Sequence, residues 1–118
     1  MRGSSPRMLK VNSTLREVIA EEVERLNDSR LELVSITGVE TSPNLRQATV
    51  YIDVLGSTDP SAALDALGRA ARRLQSAIAG QVRLKYTPTL EFAVDPGVVG
   101  GEKIDAILRD LEKGDSSD

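Results

Sequence analysis

Apolar residues recur along this chain with two different periods. Leu15, Val18, Ile19, Val23 and Leu26 fall at helical spacing, and Thr14-Leu-Arg-Glu17 ahead of them fits a capping box, in which hydroxyl and carboxylate each satisfy a free amide of the first turn. The pattern predicts an amphipathic helix over residues 14–27, ended by Asn27-Asp28-Ser29. Residues 33–40 are rich in β-branched side chains and predict a strand. Thr41-Ser-Pro-Asn44 reads as a turn. Beyond it Ala48, Val50, Ile52 and Val54 alternate with Gln47, Thr49, Tyr51 and Asp53, the period of a half-buried strand, antiparallel to the first.

Gly56-Ser-Thr-Asp-Pro60 breaks that strand, with Asp59 placed to cap a helix that opens at Pro60. Ala63, Leu67, Ala70, Leu74 and Ile78 form one stripe, so residues 60–79 read as helix, in one piece or two, with Gly80 suited to a left-handed stop. Residues 82–94 predict a third strand, interrupted around Thr87-Pro88, with Leu84, Tyr86, Leu90, Phe92 and Val94 on one face and Arg83 and Lys85 on the other. A loop over 96–101 and a short acidic helix carrying Ile104, Ile107, Leu108 and Leu111 complete the order. The resulting fold class is α+β, a layer of helices covering one face of a three-stranded sheet.

At 118 residues and 40% hydrophobic content the chain supports one modest core and a single domain. Residues 1–10 read as a vector-derived leader or disordered arm, 11–112 as the domain, and 113–118 as a disordered acidic tail. The absence of Cys and His removes disulfides, thiolate or imidazole metal sites, and every histidine-based triad. No apolar run reaches the length of a membrane span, and no cofactor is expected. Tyr51, Tyr86 and Phe92 are the whole aromatic complement, too few for a surface of stacked bases.

The net charge of −3 conceals a segregation. Residues 1–16 carry +4 and residues 62–90 another +4, whereas residues 91–118 carry −5, so two basic segments are candidate phosphate contacts on an acidic chain. At 100° per residue, Arg69, Arg72 and Arg73 point away from the helical stripe. Gly97-Val-Val-Gly100 matches the GxxG expression of KH domains, but it follows a strand and reads as a connector. No nucleotide-binding glycine motif occurs. Asp105 and Arg109 read as a surface ion pair.

Three segments carry a family resemblance. Val39-Glu-Thr-Ser-Pro-Asn-Leu-Arg-Gln-Ala-Thr-Val-Tyr-Ile-Asp-Val-Leu-Gly56 joins a Ser-Pro-Asn-Leu-Arg turn to an alternating strand. Arg83-Leu-Lys-Tyr-Thr-Pro-Thr-Leu-Glu-Phe92 is followed by Asp95, and Gly101-Glu-Lys-Ile-Asp-Ala-Ile-Leu108 comes last. In this order and spacing they resemble the bacterial ribosome-binding factor A family. The resemblance implies a type II KH-like domain, with α-β-β-α-α-β order and a short C-terminal helix. It also implies a monomeric, cytoplasmic, non-enzymatic factor that binds free 30S subunits through 16S rRNA, with ribosomal proteins as further contacts. Its role would lie in late maturation and rRNA processing and in cold adaptation. The competing reading is a KH-like protein-interaction module without RNA binding.

The sequence departs from the family pattern at two points. Ala70-Ala71-Arg72 stands where the family has Ala-x-Gly at an interhelical kink, and Asp28-Ser-Arg-Leu31 stands for Asp-Pro-Arg-Leu. A bend near residue 70 is still expected, because the fold needs two helices there. Lys10, Arg16, Arg69, Arg72, Arg73, Arg83 and Lys85 form the expected RNA-binding set, with none of them required for packing.

Overall fold

The computed structural model describes residues 6–56 and 59–97. Helix α1 (Pro6–Leu26) leads through a 3-10 turn (Ser29–Leu31) to the antiparallel strands β1 (Val34–Thr41) and β2 (Gln47–Val54). Helices α2 (Ser61–Arg69) and α3 (Ala71–Gln81) follow, and β3 (Thr89–Val94) closes the sheet. The expected α-β-β-α-α-β order is present. Strand order is β1-β2-β3, with β3 parallel to β2 in the register Gln47↔Thr89 to Ile52↔Val94.

The period-two alternation of β2 turns Ala48, Val50 and Ile52 toward the helices, where they are buried with Ile36, Val39 and Leu90. Leu15 and Ile19 of α1, Leu67 of α2, and Leu74 and Ile78 of α3 cover them, each wholly inaccessible to solvent. Burying side chains of this size contributes about 1.5–3 kcal/mol apiece. The helices occupy this one face, so the polar set of β2 stays on the open side.

Helix α1 starts eight residues before the expected cap. Thr14 is an interior residue, and Lys10, expected in a disordered arm, is helical. Pro6 needs no donor in a first turn, and tertiary contact holds the early turns. Asn12 Oδ1 accepts from both Thr41 N (3.1 Å) and Thr41 Oγ1 (2.9 Å), pinning α1 to the end of β1. The other helix end agrees with expectation: Asn27 takes a left-handed φ of 52° after Leu26.

The expected break falls at Ala70 without any glycine. Ala70 has φ −90° and ψ 1°, a conformation open to ordinary L-residues. Its amide is shared between the carbonyls of Ala66 (3.1 Å) and Leu67 (3.0 Å), and bonding restarts from Leu74 N to Ala70 O.

Two expectations fail here. Gly80 is not a left-handed stop, since α3 continues to Gln81 and ends at Val82 in an extended conformation. The third strand is also shorter than the 82–94 pattern suggests. Pro88 cannot donate to a ladder, so pairing begins only where Thr89 N bonds Arg46 O at 2.9 Å. Residues 82–88 are irregular, and Arg83 and Lys85 therefore do not lie on a strand face. Tyr86 is 43% exposed instead of joining the core. The expected final helix, the Asp105–Arg109 pair, most of the GxxG sequence and the acidic tail lie outside the described residues.

Replacing Asn12 by Ala strands the amide and hydroxyl of Thr41, which is only 4% exposed. The expected cost in urea denaturation is about 1–3 kcal/mol. The exposed neighbour Ser13→Ala should change stability by less than about 0.5 kcal/mol.

Candidate nucleic-acid interface

The open face of the sheet repels phosphate. Glu40, Asp53 and Glu91 share its outward positions with Tyr51, whose hydroxyl donates to Glu40 Oε1 at 3.1 Å. Burial, and after it the hydrogen bond to the Glu40 carboxylate, pushes the Tyr51 phenol above its ordinary range. Asp95 borders the same face; it accepts from Thr37 Oγ1 and, at 2.7 Å, from Gly97 N. A polyanion meets a more favourable field at the end of the sheet where β2 and β3 begin, beside Arg46, Arg83 and Lys85.

All seven candidate cations are exposed, but they are not equivalent. The described residues form four ion pairs, which engage Arg25, Arg30, Arg69 and Arg73. Arg69 Nε donates to Asp65 Oδ2 one turn back at 3.1 Å. Arg73 corrects the expectation that the basic set is free of structural duty. Its Nε donates to Glu22 Oε2 at 2.9 Å across the α1–α3 contact, while Arg25 holds Oε1 at 3.3 Å. Glu22 is 8% exposed, and loss of Arg73 would leave a buried carboxylate short of a partner.

Lys10, Arg16, Arg72, Arg83 and Lys85 lie outside those ion pairs. The fold does not bring all five together. Arg16 sits on the flank of α1 facing β1, in a groove of about 500 Å³ also lined by Glu24, Asp28 and Glu32. Arg72 lies on the first turn of α3, near the helix break. Arg83 and Lys85 lie at the opposite end of α3, beside the start of β3. Lys10, two residues before the Asn12 anchor, is at that same end of the sheet.

One residue absent from the expected set belongs there. Arg46 stands just before β2, and its guanidinium carbon lies 3.9 Å from the centre of the Tyr86 ring. Lys85 Nζ is 5.5 Å from that centre. The Arg lies in the Ser-Pro-Asn-Leu-Arg turn and the Tyr precedes Thr-Pro88; only parallel pairing of β2 and β3 makes these segments neighbours.

The family model described as ribosome-binding factor A matches residues 7–108. A ribosome-binding factor A from Rubrobacter xylanophilus is 43% identical over 117 residues, covering 97% of this chain and 96% of that protein. The chain belongs to the ribosome-binding factor A family. The crystal structure of ribosome-binding factor A from Thermus thermophilus superposes with a TM-score of 0.69 at 34% identity, covering 74% of this chain and 94% of that one. The solution structure of a Thermotoga maritima ribosome-binding factor A homologue gives a TM-score of 0.72 at 28% identity, over 82% of this chain and 94% of that one. A homology model of Thermus thermophilus ribosome-binding factor A, fitted into a cryo-EM map of its 30S complex, matches at 36% identity with a TM-score of 0.60, over 70% of this chain and 88% of that one.

The KH-like architecture of ribosome-binding factor A is thus present here. Among the described residues no three acidic side chains gather as metal ligands would, and no helix is long and apolar enough to cross a membrane.

The Glu22 bridge carries a pH signature. Hydrogen bonding from Arg73, reinforced by Arg25, holds the Glu22 carboxyl below its ordinary range against the opposing effect of burial. A depressed carboxylate contributes stability that is complete above the unfolded glutamate pKa of about 4.3 and is lost as pH falls through the folded value. Glu22→Gln should therefore melt below the parent protein at pH 7, and the two midpoints should converge in thermal scans toward pH 3. A gap that does not change with pH would contradict this role.

Proposed function

We propose that this chain binds the free 30S ribosomal subunit through the phosphate backbone of 16S rRNA and acts as a non-enzymatic factor late in subunit maturation. Its family membership supports this, as does a Thermus relative described in a 30S complex. The observation within this chain that carries the reading is the segregation of charge. Lys10, Arg83 and Lys85 stand at one end of the sheet outside the ion pairs, while the open face presents carboxylates. Arg72 extends the basic surface along α3. Arg16 supplies a further cation on the other flank of α1, and Arg69 and Arg73 contribute through the charge left beyond their pairs.

Contact is with backbone and helical shape, since a single exposed aromatic residue offers little stacking area. Support of rRNA processing and of growth in the cold belongs to the same proposal.

Sedimentation with free 30S subunits, intact 70S ribosomes and unrelated RNA provides the test, with co-migration expected for 30S alone. Three to five phosphate contacts should lower log K against log salt with a slope of about −2 to −4. A flat response would instead favour a protein-interaction module. Arg83→Glu should weaken 30S binding by about tenfold at low salt, since an attractive contact becomes repulsive. Arg30→Glu makes the same charge change beside Asp28 at the other end of the sheet, and it should leave binding within about twofold. Equal losses in both variants would show that net charge acts without a localised surface.

A further inference from the structure

We propose that Arg46, Lys85 and Tyr86 form a pre-organised seat for an RNA backbone phosphate, in which the tyrosine ring positions the two cations. The inference rests on the reading of this chain as an rRNA binder and adds a specific contact to it.

Arg46 is fixed through its backbone on both sides. Its amide donates to Asn44 Oδ1 at 3.0 Å, and its carbonyl accepts from Thr89 N at 2.9 Å. The turn that delivers it is itself cross-linked. Ser42 N donates to Gln47 O at 2.8 Å, Gln47 N donates to Ser42 Oγ at 3.1 Å, and Leu45 adopts a left-handed φ of 60°. The segment carrying Tyr86 is anchored next to it. Pro88 is fully buried, and its carbonyl accepts from Gln75 Nε2 of α3 at 3.0 Å. Two chain segments nearly forty positions apart in sequence are therefore held in register, with a guanidinium stacked on the one ring the protein exposes.

A guanidinium lying on an aromatic face keeps its in-plane N–H donors directed outward. The lack of a competing ion pair matters as much as the stack. Neither Arg46 nor Lys85 belongs to any ion pair of the described residues, so both charges remain available to a ligand. Holding long side chains against a ring removes part of the entropy that a mobile Arg or Lys would lose on binding. The arrangement suits an anion that presents two neighbouring acceptor oxygens to the guanidinium fork, as the non-bridging oxygens of a phosphodiester do. The carboxylates nearest in sequence, Glu40 to Arg46 and Glu91 to Lys85, flank Thr49 on the open sheet face, and Tyr51 donates to Glu40.

Affinity for purified free 30S subunits, measured across a salt series, separates the possibilities. Arg46→Gln should lessen the salt slope by about 0.7–0.9, the share of one phosphate. Tyr86→Leu leaves charge unchanged and should weaken binding two- to fivefold, whereas Tyr86→Phe, which keeps the ring face, should stay near the parent. In an Arg46→Gln, Lys85→Gln background, Tyr86→Leu should have no further effect. Thermal midpoints of each variant establish that the fold is kept.

Parent binding with an unchanged slope in Arg46→Gln would overturn the seat and leave the rRNA reading intact. An undiminished Tyr86→Leu effect in the double background would also overturn it, because the ring would then be contacting RNA on its own account. No binding of 30S by the parent protein would defeat both.

Discussion

A strand that pairs in parallel with its neighbour cannot be reached through a tight turn; the chain must travel back along the sheet before it can enter. Parallel addition of β3 to β2 imposes that journey on residues 55–88, and most of the architecture follows from it. Helices α2 and α3 occupy the return path, the break at Ala70 lets both pack on one face, and α1 fills the remaining space over β1. The same pairing brings the Ser42–Arg46 turn beside residues 83–88, so the basic end of the sheet is a product of topology more than of local sequence.

That origin explains what the sequence disclosed and what it withheld. The alternation of Ala48, Val50 and Ile52 and the helical spacing of Leu15, Ile19, Leu74 and Ile78 reported faces directly, because hydrophobic period follows backbone geometry. The break at Ala70 was legible only through family resemblance, since Ala and Arg favour uninterrupted helix. Gly80 misled because a glycine that can end a helix need not do so. Residues 82–88 misled for a subtler reason: the interruption at Thr87-Pro88 was visible, but alternation suggested strand ahead of it as well, whereas pairing begins only after Pro88, whose carbonyl is held by the Gln75 side chain. Arg46 went unnoticed because its partner ring is distant in sequence, although its place beside a tight turn and the rarity of aromatic residues were both visible. Arg73 likewise appeared as one of three outward arginines; that it bridges to Glu22 depends on how α1 and α3 cross.

The charge distribution gains meaning from the layers. An acidic chain can still bind a polyanion when its carboxylates are sequestered on one face or spent on internal partners. Here Glu40, Asp53 and Glu91 lie on the open sheet, and Asp28, Asp65 and Glu22 are held by Arg30, Arg69 and Arg73. Glu17, Glu21, Glu24 and Glu32 lie along α1 and before β1, whereas the end of the sheet where β2 and β3 begin carries Lys10, Arg46, Arg83 and Lys85 on three separate segments, a local potential that the overall charge of −3 does not report.

The central claim is that the ribosomal subunit meets this end of the sheet. Because the chain contains no cysteine, a single thiol can be introduced and its alkylation rate followed without background. Thr87→Cys lies beside Tyr86, and Leu55→Cys lies just after β2, at the other end of the sheet and outside the Arg16 groove; both positions are exposed. With saturating 30S subunits, the thiol at position 87 should react at least tenfold more slowly while the thiol at position 55 reacts as in the free protein. Protection at position 55 with full reactivity at position 87 would contradict the account.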